Sequence, residues 1–180
     1  MHDTMCSNGP RISNRVIAEF AKLFFTKEFA SRDDESKDLS KAFSLSHMST
    51  TNTISILALR RGFDKHQVEL ARICACVHDF YTVKTGSTKD HALRSAELAE
   101  KFLKKFKELS AEEADLIVLA AKSHSEKEKD SGNWLVELMK DADVLDSYLH
   151  CKELIEKGNV RYERLEKIMA ELGIKRFEID

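Results

Sequence analysis

A chain of 180 residues, 42% of them hydrophobic, is the size of one domain built around one substantial core. Lys and Arg number 29 against 31 Asp and Glu, a net charge of -2 with no basic arm, so no nucleic acid partner is expected. No run approaches the ~20 apolar residues needed to cross a bilayer, and Met1 to Pro10 lacks an apolar leader core; a cytoplasmic protein without membrane contact is expected.

Pro occurs once and Gly six times, so little forces the turns of an all-β fold, and an all-α irregular helical bundle is the expectation. The four cysteines show no CxxC spacing and read as reduced thiols, with Cys74 and Cys76 as core residues near His78. Ile12, Val16, Ile17, Phe20, Leu23, Phe24 and Phe29 recur at three- and four-residue steps, predicting a first amphipathic helix after Pro10. Ser31 to Ser40 is charged and serine-rich. Residues 1–42 are therefore taken as an N-terminal helix and polar linker packing on a core of residues 43–180.

A second helix is predicted from about Ser46 to Arg61, ending at Gly62. Asp64 with Gln67 resembles a capping box opening a third, whose apolar face of Val68, Ala71, Ile73, Cys74 and Val77 leads to His78-Asp79 at its end. Tyr81 to Thr88, with Gly86 and three threonines, reads as a polar loop able to reach over a site. A fourth helix from near Lys89 buries Ala92, Ala96, Ala99, Leu103 and Phe106, and Ser110 with Glu113 caps a fifth. His91 opens the fourth and His124 closes the fifth, so a simple hairpin brings both to one end. Trp134, Leu135, Leu138, Met139, Ala142 and Leu149 define a sixth helix after a polar 125–132 loop, and a last one near Tyr162 to Leu172 ends at Gly173.

Ionisable groups in phase with an apolar stripe need a partner or a metal to offset desolvation. Asp143 lies four residues after Met139 and eight after Leu135, His124 four after Ala120, and His78 four after Cys74, so all three should point inward. Taken singly, each histidine is equally well explained as a core or helix-cap residue. A buried carboxylate beside several imidazoles suits Fe, Mn, Co, Ni or Zn better than Ca.

In order, His47, His78-Asp79 and Asp143 resemble the H...HD...D pattern of the HD-domain superfamily of metal-dependent phosphohydrolases, over roughly Phe43 to His150. The stretches ICACVHD, HALRSAELAEKFL and KDADVLDSYL resemble its motif-bearing helices. The resemblance implies an HD-domain bundle with metal ligands His47, His78, Asp79 and Asp143, the last being the second aspartate of Asp141-Ala142-Asp143 and neither Asp141 nor Asp146. Adding His91 and His124 gives a set similar to the six-ligand dinuclear branch, in which Asp79 bridges two divalent transition-metal ions; one ion or two are both compatible with the pattern.

The activity implied is cleavage of a phosphoester or phosphoanhydride in a small, nucleotide-like phosphorylated substrate by metal-activated water, with Asp79 and Lys84 catalytic and Lys84 and Arg94 binding substrate phosphate. Diiron oxygenases of the superfamily resemble the same ligand pattern, and a non-catalytic, metal-stabilised regulatory module is a third reading. A homo-oligomer is compatible with all three. Phe80-Tyr81-Thr82-Val83-Lys84 stands where guanosine tetraphosphate hydrolases carry acidic residues, which argues against that branch. The dinucleoside tetraphosphate hydrolases usually place the first histidine nearer the N-terminus than His47.

Overall fold

The computed structural model describes residues 11–22, 48–150 and 157–175. His47, Cys6, Cys151, the 31–40 linker and the far end of the expected first helix lie outside the described residues. Helices follow one another as α1 (Ile12–Ala21), α2 (48–60), α3 (Lys65–Val77), α4 (Phe80–Thr85), α5 (His91–Leu103), α6 (Ala111–Ser123), α7 (Trp134–His150) and α8 (Val160–Leu172). Among the described residues there is no strand, and no helix is long and apolar enough to cross a membrane.

Helix α3 is the axis of the bundle, packed by α1, α6 and α7. Its start is set by a reciprocal capping box: Gln67 N–H donates to the Asp64 carboxylate and the Asp64 N–H donates to the Gln67 side chain. From Val68 to Val77 every side chain but that of Arg72 is buried, so this stretch of the helix is enclosed on nearly all faces. Among the buried residues Glu69 is charged, faced by Arg11 at 3.6 Å and Arg72 at 3.7 Å. Glu69 also accepts from the Ser13 N–H at 3.1 Å. It thereby supplies the negative charge that the first turn of α1 lacks, since Arg11 offers that helix no side-chain cap.

Helices α5 and α6 form the expected antiparallel hairpin, with Ser110 and Glu113 closing a second capping box. Asn133 caps α7 through the Leu135 and Val136 N–H groups, and Asn159 caps α8 through Arg161 N–H. The 81–88 stretch departs from expectation: it is no loop throughout, because 80–85 form the short helix α4. Six residues are too few to show a helical period in sequence. Thr82 and Val83 are nonetheless buried, and Gly86 ends the helix at φ 73°. A second departure is Leu149, expected on the apolar face of α7 but 57% exposed, since Leu145 and Tyr148 take the inward positions there.

Phe80, one residue past the His-Asp pair, joins an aromatic cluster in which its ring lies 5.0 Å from Phe20 of α1 and 5.4 Å from Phe102 of α5. The motif turn is thus clamped by two other helices. Phe20→Ala is expected to cost about 3 kcal/mol or more of unfolding free energy in urea titrations of the full chain. Unchanged stability would show that α1 is only a surface attachment.

Candidate metal centre

His78 is the C-cap residue of α3 and Asp79 the N-cap residue of α4, so the pair sits at the break between the two helices. An aspartate at an N-cap ordinarily accepts from the first helical N–H groups. Here its side chain makes no such bond. The carboxylate turns to three imidazoles instead. Its Oδ1 is 3.4 Å from His124 Nε2 and 3.5 Å from His91 Nε2, and its Oδ2 is 3.6 Å from His78 Nε2. Asp143 Oδ1 lies 4.0 Å from His78 Nε2 on the far side.

Each imidazole is oriented by its own backbone. Nδ1 of His78 donates to Ala75 O at 2.8 Å, that of His124 to Ala121 O at 2.7 Å and that of His91 to Thr88 O at 3.1 Å. All three carbonyls stand three residues earlier. With the proton on Nδ1, every Nε2 presents a lone pair, which is the tautomer required to hold a metal through Nε2. The His78 and His124 rings pack edge to face at 4.9 Å, and His91 and His124 lie 5.3 Å apart, so the hairpin does bring its two histidines to one end.

The result is a cluster of hydrogen-bond acceptors pointed at each other, an arrangement that a cation at their centre satisfies. His78, Asp79 and His124 each offer one ligand atom within 4.8 Å of the others. The donor chemistry therefore fits a divalent transition metal. Cys74 and Cys76 are buried core thiols, pushed further toward the protonated form by that burial.

The sequence of α7 is read in three different ways by its surroundings. Asp141 is taken by two guanidiniums, Arg61 and Arg164, each at 2.7 Å. Asp146 is buried, accepts from Thr50 Oγ1 at 3.0 Å and so ties α7 to α2. Asp143 alone faces the imidazoles. Burial opposes its ionisation, but the positive charge of Lys127 outweighs this and holds the carboxyl well below the usual range.

Lys127 is the residue that sequence reasoning missed. It lies in the polar 125–132 loop, yet it is 3% exposed; its Nζ donates to Asp143 Oδ2 and, at 2.5 Å, to His124 O. Burial pulls its ammonium toward the neutral form, against the pull of Asp143. No pattern in Ser125-Glu126-Lys127-Glu128-Lys129 distinguishes this lysine from its neighbours. Lys84 is half-buried in the last turn of α4 and pairs with no described carboxylate. Arg94 is exposed and engaged with Tyr81, donating to its hydroxyl at 2.6 Å.

The sequence model of the HD domain family matches residues 45–149, a stretch containing every one of these centre residues. The chain belongs to the HD domain family. No curated protein and no solved structure matches the chain. HD domains are generally metal-dependent hydrolases, and this one carries a His-Asp-His donor set able to hold a divalent ion.

The HD domain's charged flank makes a separate prediction. Glu137 accepts from Lys140, Ser131 and Arg164. Burial raises its pKa by less than these donors and the Ser131 N–H lower it, so the pKa falls from 4.5 to about 2. A folded-state value below the unfolded one contributes stability that is complete above pH 4.5 and lost as pH falls toward 2. Urea midpoints should therefore fall more steeply across that window in the wild type than in Glu137→Gln. Parallel slopes would contradict the assignment.

Proposed function

We propose that this HD domain is a metal-dependent phosphohydrolase that cleaves a phosphoester or phosphoanhydride in a small, nucleotide-like substrate. The reading rests on one observation, the convergence of three Nε2 lone pairs and two carboxylates at the α3–α4 break. Asp79 Oδ2, His78 and Asp143 make one half of the ligand set, to which His47 is added from the family pattern. Asp79 Oδ1, His91 and His124 make the other, with Asp79 between the two. A divalent ion held by these residues would supply positive charge and an activated water for attack on phosphorus.

The chain's own groups do the rest. His78 and His124 are almost wholly enclosed, whereas the His91 side chain is 31% exposed, so substrate approaches over His91 at the start of α5. Lys84 is the cation assigned to substrate phosphate, acting as a point charge. Arg94 serves the same role through its position one turn along α5 from His91, after release from Tyr81. The nucleotide class comes from the family resemblance and is the first class to try.

The deciding experiment is metal analysis of anaerobically purified protein, followed by a phosphate-release panel with Mn, Fe, Co and Ni. Asp79→Ala and His78→Ala are expected to lose both bound metal and turnover, and full activity with unchanged metal in either would remove the reading. Oxygen consumption without phosphate release would assign the oxygenase chemistry instead. His91→Ala and His124→Ala should lower bound metal from about two ions per chain to about one, because the other half of the set is intact. For Lys84→Ala the expectation is impaired kcat or KM with full metal content; wild-type kinetics would return Lys84 to a helix-end role.

A further inference from the structure

The proposed centre contains a buried positive charge supplied by a side chain. The Lys127 side chain is 2% exposed, with its ammonium against Asp143 Oδ2 and the carbonyl of His124. Its placement is built in. The Lys127 carbonyl accepts from Arg164 Nη2 at 3.1 Å, and Arg164 is itself held by Asp141 at 2.7 Å and Glu137 at 2.9 Å. The loop carrying the ammonium is therefore anchored to α7 and α8, beside a mixed-charge cavity of about 380 Å³ lined by Arg61, Glu137, Asp141 and Arg164.

We infer that Lys127 is a positioning residue of the centre, holding Asp143 by one oxygen and weakening, through its fixed charge, the grip of the site on divalent cations; this rests on the metal-centre reading above. With Oδ2 engaged by the ammonium, Oδ1 is the oxygen left facing His78 and the atom with which Asp143 would hold a metal. The outer partner of a metal-binding carboxylate is a hydrogen-bond donor. A charged donor does more than orient: the ammonium withdraws charge from the carboxylate and repels a dication entering beside it. The same group braces the backbone of His124 in the other half of the ligand set, so one side chain ties the two halves together.

The test uses metal-stripped full-length protein titrated with Mn²⁺ by calorimetry, together with melting temperatures measured with and without Mn²⁺. Lys127→Met removes charge and donors at similar volume. It is expected to bind Mn²⁺ about tenfold tighter or more than the wild type, within the range seen when outer partners of metal ligands are changed. Its Tm should rise further on adding Mn²⁺, because the ion now satisfies a carboxylate left without its ammonium. Lys127→Arg, keeping the charge, should return affinity toward wild type. Lys127→Gln removes the charge while offering an amide N–H donor from a side chain one atom shorter, so it decides the matter if Lys127→Met folds only with Mn²⁺ bound; it too should bind more tightly. Equal or weaker Mn²⁺ binding in Lys127→Gln overturns the inference while leaving the metal centre standing. A wild-type chain that binds no Mn²⁺ removes both.

Discussion

Asp79 carries the constraint on which the centre depends. It occupies a helix N-cap yet gives its carboxylate to His124 and His91, 3.4 and 3.5 Å away, when an ordinary cap would use it on the backbone. Holding acceptors so close is unfavourable unless a cation joins them, so the surrounding structure must over-determine the turn. It does so from three directions. The buried helix α3 delivers His78, Phe80 is locked among Phe20 and Phe102, and the Tyr81 N–H donates to buried Ser95 on α5.

Helix α7 shows how one short stretch supplies separate functions through helical phase. Asp141 leaves the helix on nearly the opposite side from Asp143, and Asp146 lies one turn beyond Asp143, so each meets a different neighbour. Two arginines make Asp141 a structural anchor, Thr50 makes Asp146 a tie to α2, and the imidazoles with Lys127 receive Asp143. Removing one member of such a buried pair generally costs more than the pair contributes, because the remaining charge is left without compensation. The arginines, the lysine and the aspartates consequently act as one network behind the centre, linking α8 to Asp143 through Arg164 and the Lys127 loop.

The outer bundle serves the same end. Glu69 places a buried carboxylate at the start of α1, and Phe20 on that helix reaches the ring that follows Asp79. The capping boxes on α3 and α6 set where those helices begin, and the positions of His78 and His124 at their ends follow from helix length.

Much of this was legible in the residues themselves because it is local. The capping boxes, the stops at Gly62 and Gly173, the apolar phase of Asp143 and the shared end of His91 and His124 all follow from spacing along one helix or one hairpin. The order H...HD...D carried the family, and the matched region bears that out. What the sequence could not express is which distant groups meet. The choice among three aspartates was carried by family pattern and phase, but the two arginines that occupy Asp141 come from α8 and the turn after α2. Lys127 looks like any loop lysine until the α6–α7 connection folds under the centre and excludes water from its ammonium. Helix α4 is too short to print a period, and its helicity comes from Thr82 and Val83 being packed inward. Helical spacing acts over four residues, whereas burial and charge pairing depend on packing between elements that lie tens of residues apart, and only the tertiary structure decides them.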